Sequence, residues 1–127
     1  GEREWNVAGY EQILGTGTCD VFGIYPGRVE GVTGFVKIVS RIESFKRQAN
    51  AHAWSSAIVS AASIAVSFTS STFKVFEFKP LPNPMQHELV TEPLAHKDGW
   101  VYPPLGKPGL GIEVIDEVVE KYRQKRD

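Results

Sequence analysis

The stretch from Gln48 to Ile58 reads Gln-Ala-Asn-Ala-His-Ala-Trp-Ser-Ser-Ala-Ile. Small residues lead into a single histidine, His52. The bulky Trp54 follows, then Ser55-Ser56, then an alanine-rich run at helical spacing. This is how a buried parallel strand hands over to a helix. Ser55 or Ser56 can cap that helix, because a hydroxyl accepts from the free amides of the first turn. The carboxyl end of such a strand is where α/β proteins keep their chemistry. His52 therefore has two readings at this point: a satisfied structural histidine at a strand end, or a proton carrier.

Working outward, Ala57 to Phe68 is a helix that is apolar nearly all round and so buried on more than one side. Phe73 to Phe78 follows as a strand with Glu77 near its end. On the other side, Phe35, Val36, Ile38, Val39, Ile42 and Phe45 recur at helical spacing, with Lys37, Arg41, Lys46 and Arg47 opposite and Thr33 as a cap. Cys19 to Tyr25 is β-rich and ends at Pro26-Gly27. Val7 to Leu14 is a short amphipathic helix stopped by Gly15 and Gly17. Gly15-Thr16-Gly17 is too short for a phosphate loop. Strands alternating with helices imply βαβ units and a parallel sheet. After Lys79 the pattern changes. Pro80, Pro82 and Pro84 predict a stiff extended connection, Lys97-Asp98-Gly99 a turn, Trp100 to Tyr102 a short strand, and Ile115 to Lys125 a charged helix with basic residues in its last turns. Residues 1–79 thus form one unit and residues 80–127 an appended arm.

Composition excludes several classes. A chain of 127 residues with 42% hydrophobic and 23% charged residues fits one globular domain. A net charge of −1 leaves no basic field for nucleic acid or a membrane surface. No run is long and apolar enough for a bilayer. The single Cys19 rules out an intrachain disulfide framework and fits a reducing cytoplasm. The start, Gly-Glu-Arg-Glu-Trp, has no signal-peptide pattern and no initiator methionine, and reads as the middle of a longer chain. His87 and His96 read as solvated, and Asp116, Glu117 and Glu120 as a charged helix face. Lys79 reads as a partner for a carboxylate.

The chain resembles the C-terminal portion of the enolase superfamily, in the mandelate racemase / muconate lactonizing enzyme group. Gly1-Glu2 resembles the end of the fifth barrel strand, and Gly31-Val32-Thr33-Gly34 the turn that opens the sixth helix. His52 with Ser55-Ser56 resembles the end of the seventh strand, and Glu77 the end of the eighth. Asp98-Gly99-Trp100-Val101 and Pro108-Gly109-Leu110-Gly111-Ile112-Glu113 resemble the closing arm, as does the run from Val118 to Arg123. The resemblance implies the C-terminal part of a (β/α)₇β TIM-type barrel. It implies a Mg²⁺-dependent lyase or isomerase, most plausibly a sugar-acid dehydratase, that removes a proton α to a carboxylate while the metal stabilises the enediolate. Carried over, Glu2 is the third metal ligand, His52 the general acid/base, and Glu77 the carboxylate that hydrogen-bonds the reacting acid group. The substrate is a small carboxylate or acid sugar.

Two departures qualify this. The family's histidine is oriented by an aspartate six residues before the second glycine of a pair. Here Glu30 stands for the first glycine, and counting back six from Gly31 gives Tyr25. Asp20 lies earlier, at a position better read as structural. Either Tyr25 is a proton carrier, or Asp20 reaches the site by a register shift, or the dyad is altered, which ranks first. The second departure is that the family's other metal ligands and its lysines precede Glu2. The isolated chain is therefore expected to be catalytically silent. Its open edges at the fifth and eighth strands are expected to make it self-associate or pair with a missing N-terminal half. The alternatives are a truncated half-barrel serving only as an assembly module, and a binding domain that keeps the pocket without the chemistry.

Overall fold

The computed structural model describes residues 2–79, 81–104 and 106–124. Helix α1 (Val7–Thr16) leads to strand β1 (Val21–Ile24), helix α2 (Gly31–Ser44), strand β2 (Gln48–His52), helix α3 (Ala57–Ser67) and strand β3 (Phe73–Glu77). The strands form one parallel sheet in the order β1-β2-β3. This is the α/β alternation expected of a piece of barrel. The fifth-strand end is not there as a strand: Gly1 lies outside the described residues, and residues 2–5 belong to no regular element. The sheet's edges are consequently β1, in place of the fifth strand, and β3, which ends at Glu77 and so is the strand counted eighth above.

One face of the sheet makes the core. Phe22, Ile24, Ala49 and Ala51 point under the helices and meet Phe35, Ile38, Val39 and Ile42 of α2, with Tyr10 and Leu14 of α1 and Val66 of α3. Each large side chain removed from water there contributes about 1.5–3 kcal/mol. The buried Tyr10 hydroxyl donates to the Gly23 carbonyl at 2.9 Å and ties α1 to β1. Desolvation raises the Tyr10 phenol well above its ordinary value, so it stays a donor. The opposite face is open, with Val21 48% and Val75 63% exposed.

Several boundaries differ from the sequence reading. Helix α1 does not stop at Gly15; it runs to Thr16, and only Gly17, at φ 67°, turns left-handed and ends it. A Cβ on Gly15 would meet nothing within 4 Å. Gly15→Ala is therefore expected to stabilise the fold by about 0.5–1 kcal/mol, checked by urea denaturation. Helix α2 opens earlier than Thr33 allows, at Gly31, with Glu30 as its first flanking residue at φ 61° and no side-chain cap. Two consecutive left-handed residues, Glu30 and Gly31 (φ 71°), make that sharp entry. This explains why the resembled pattern has a glycine pair here; Glu30 bears a backbone cost of roughly 1–2 kcal/mol.

Beyond the sheet, Pro84 does not extend the linker but opens helix α4 (Pro84–His87) at its first turn, where a missing amide costs nothing, with Asn83 capping. Trp100 to Tyr102 narrows to strand β5 (Trp100–Val101), paired antiparallel with strand β4 (His96–Lys97). The two-residue turn Asp98-Gly99 has both φ values positive, 53° and 80°, which suits a hairpin. The charged helix shortens to α5 (Asp116–Tyr122), and Lys125 lies outside the described residues. The arm packs on α3 through a second cluster in which Leu89 and Val90 meet Ala57, with Ile112 and Val118 at its rim. No helix among the described residues is long and apolar enough to cross a membrane.

Candidate functional site

The parallel register sets the site. Ile24 pairs with Ala51 and His52 with Glu77, so the carboxyl ends of all three strands reach one level. Tyr25 follows β1, while His52 and Glu77 are the last residues of β2 and β3. A slip of register between Ala49 and Asn50 matters here. It lets Phe73 and Phe76 both pack on the core while Val75 and Glu77 share the open face with Asn50 and His52. Glu2, Tyr25, His52 and Glu77 all line one cleft of about 330 Å³, together with Arg28, Trp54 and Ser55. A larger groove of about 520 Å³ runs along β3 beside Phe68 and Trp100, but Lys74 is its one titratable residue, so the chemistry belongs to the smaller cleft.

His52 is 8% exposed. Its ring lies 4.8 Å from the Tyr25 ring, centroid to centroid, tilted at 45°. Among the described residues, no side chain hydrogen-bonds the imidazole. Gly23 makes room for it: a Cβ there would lie 3.4 Å from His52 Cε1 and 3.0 Å from Glu2 Cβ. Burial holds the imidazole below its ordinary 6.5; Glu77 and Glu2 pull the other way, and Arg28 adds to the depression. His52 is therefore neutral near pH 7, with a ring nitrogen able to accept a proton.

A stability consequence follows. The unfolded imidazole titrates near 6.5 and the folded one lower. Between those values the unfolded chain holds the extra proton, so acid favours unfolding. The contribution of His52 is expected to be fully present above pH 6.5, to be lost as pH falls below it, and to level off once the folded ring protonates. Urea midpoints at about pH 7.5 and about pH 5.5 check this, with His52→Gln expected to show the smaller drop. An equal drop in both proteins would contradict it.

The main chain after His52 is held by three side chains. Ser63 Oγ donates to the His52 carbonyl at 3.1 Å, Ser60 Oγ to the Ala53 carbonyl at 3.3 Å, and Lys79 Nζ to the Trp54 carbonyl at 3.2 Å. Lys79 thus serves a backbone carbonyl and not the expected carboxylate. Gln86 Nε2 in turn donates to Ser60 Oγ at 2.5 Å, linking the arm to the strand end. Ser56 is the actual cap of α3, accepting from the Val59 amide at 3.4 Å. Sequence reasoning missed Ser60, Ser63 and Arg28. The signal for the serines was present as two hydroxyls three residues apart in an otherwise apolar helix, where each needs a partner.

Asp20 takes no part in the cleft. It precedes β1 and pairs with Arg47 at the other end of the sheet. The four residues of β1 separate it from Tyr25, five steps or roughly 16 Å at the usual rise. His96 is exposed, with its ring against Phe78 at 5.3 Å, and His87 is exposed at the end of α4, its Nδ1 2.9 Å from the Asn83 carbonyl oxygen. Asp116 and Glu117 lie in the first turn of the exposed α5, and Glu120 pairs with Arg123 at 2.6 Å.

The family model described as enolase C-terminal domain-like matches residues 1–118. D-gluconate dehydratase of Thermoproteus tenax is 27% identical over 124 residues, 97% of this chain and 25% of that protein. The solved mandelate racemase/muconate lactonizing enzyme of Jannaschia sp. CCS1 matches with a TM-score of 0.81 at 21% identity, over 98% of this chain and 31% of its own. A structure of the mandelate racemase type from Bordetella bronchiseptica RB50, complexed with 2-oxoglutarate/phosphate, matches with a TM-score of 0.89 at 23% identity, over 98% of this chain and 33% of its own. At these identities the structural likeness speaks for the fold. The chain spans about a quarter of the length of the curated relative and about a third of the solved ones.

Proposed function

The chain belongs to the enolase C-terminal domain-like family, and from that premise we propose that its cleft is part of the active site of a lyase or isomerase acting on a small carboxylate, a sugar-acid dehydratase. The reading divides the chain into a barrel portion, residues 1–79, and a capping arm, residues 80–127. His52 is the general acid/base that takes the proton α to the carboxylate. A buried imidazole held neutral is the protonation state such a base requires. Glu77 hydrogen-bonds the reacting acid group, and Tyr25 flanks His52 where the resembled pattern has an aspartate. The observation that carries the reading is the pairing of His52 with Glu77 at adjacent strand ends, in one cleft with Glu2 and Tyr25.

Magnesium does not fit the described residues by themselves. No group of three His, Cys, Asp or Glu side chains among them could hold a metal ion. Mg²⁺ demands near-octahedral oxygen ligands and gives up its waters reluctantly, so a lone carboxylate with no further oxygen ligands holds it weakly. In this reading Glu2 contributes one ligand and the remaining ones come from outside residues 1–127, so no step is assigned to the metal here.

Grafting tests the proposal. Residues 1–127 replace the matching quarter of the Thermoproteus tenax D-gluconate dehydratase, and gluconate turnover is measured with and without His52→Asn. A folded graft that turns over gluconate equally well in both forms would sink the assignment of His52. The absence of a metal cluster among the described residues favours a second reading for the chain on its own, a silent piece that acts only within a larger assembly.

A further inference from the structure

Glu2 stands on residues 2–5, which join no helix and no strand. No backbone ladder holds this stretch against the sheet, yet its carboxylate side chain lines the cleft. Arg28 touches it in two ways and the strand end in a third. Its Nη1 donates to the Glu2 carbonyl at 2.7 Å. Its guanidinium carbon lies 5.2 Å from the centroid of the Trp5 ring, on the incoming segment. It also lies 5.5 Å from the centroid of the Tyr25 ring, on the end of β1. Both distances are within cation–π reach. Among the described residues no carboxylate forms an ion pair with Arg28. A planar guanidinium suits this position, since it can lie against a ring while its edge donates to a carbonyl; an ammonium cannot do both. On the far side of Glu2, Gly23 leaves the space its Cβ occupies.

We propose that Arg28 is a positioning residue: it clamps the segment carrying Glu2 to the end of β1 through Trp5, Tyr25 and the Glu2 carbonyl, and so sets where the Glu2 carboxylate stands beside His52. The role given to the Glu2 carboxylate rests on the reading of the cleft above; the clamp itself does not. A guanidinium merely parked on the surface would leave Glu2 in place when removed. A clamp would not.

The test uses the isotopically labelled 127-residue chain and reads the nuclear Overhauser contact between the Glu2 β protons and the Gly23 α protons. Arg28→Ala is expected to abolish that contact, and Arg28→Lys to weaken it severely although it keeps the charge. Methylguanidinium is expected to restore the contact in Arg28→Ala, which a general loss of stability would not permit. The ring contact between Tyr10 and Phe22, 6.2 Å apart in the core, is expected to persist throughout. Persistence of the Glu2–Gly23 contact in both variants would overturn the clamp, as would its loss together with the core contact. No ligand enters this readout. Gluconate turnover in the graft that is insensitive to His52→Asn would sink the active-site reading and leave the clamp standing, and failure here would sink the clamp alone.

Discussion

Gly34→Ala is expected to destabilise the fold by about 3 kcal/mol or more, although the same change in an ordinary helix interior is worth roughly 1 kcal/mol of gain. The sign reverses because of what lies against Gly34. The left-handed pair Glu30 and Gly31 folds the chain back as it enters α2. A Cβ on Gly34 would fall inside the van der Waals shell of the Val29 carbonyl oxygen, 2.8 Å from Glu30 Cβ and 3.0 Å from the Val29 carbonyl carbon. Two of these atoms are backbone, so no rotamer change relieves the clash. Val29 itself is fully buried, and moving it would disturb the core under β1. A loss of this size is a large share of the roughly 5–15 kcal/mol that holds a typical domain. Urea denaturation of Gly34→Ala beside Gly15→Ala is the check, since both are helical glycines and only one has a neighbour within contact. Equal or greater stability of Gly34→Ala relative to the unaltered chain would show that the backbone approach is not real.

In the gluconate dehydratase graft, His52→Asn is expected to lower turnover by about 10²–10⁴-fold, the usual worth of a general acid/base. Asparagine keeps a polar group of similar size in the cleft and removes the titrating nitrogen. Under the reading proposed above, the 127-residue chain by itself is expected to exchange no α-proton of gluconate with solvent, since that reading places only Glu2 of the metal ligands among its residues. Formation of the 2-oxo-3-deoxy acid measures the first statement, and deuterium wash-in at the α carbon of recovered gluconate measures the second. Exchange catalysed by the isolated chain would mean that the cleft stabilises the carbanion with its own groups. Within the graft, a kcat insensitive to His52 would move the base elsewhere.

Much of this molecule is legible along the chain. The seam of Phe35, Ile38, Val39 and Ile42 announces α2, because only a 3.6-residue period puts those four on one side. The small residues into His52, then Ser56 and the alanine run, announce β2, a capped turn and α3. What could not be read were the places where a neighbour distant in sequence sets the outcome. The helical start at Gly31 depends on a backward fold over Val29, so Thr33 looked like the cap. His96-Lys97 looked like solvated arm until Trp100-Val101 paired with it. Arg28 drew no reading at all, since its partners Glu2 and Trp5 lie more than twenty positions away.

The amino-acid order by itself determined the alternation of strands and helices, the position of His52 at a strand end, and the family of the fold. The first two follow from local periodicity, capping and breaking, which act over a few residues; the family follows from the resemblance of motifs spread along the chain. Only the tertiary structure decided which side chains meet. The register slip opposite Ala49 puts Glu77, and not Phe76, beside His52. The course of β1 carries Asp20 away to Arg47 and brings Tyr25 to the imidazole ring instead. The physical reason is that side-chain direction in a sheet alternates with a period of two. A slip of one residue, invisible in composition or pattern, exchanges the whole set of groups that faces the site.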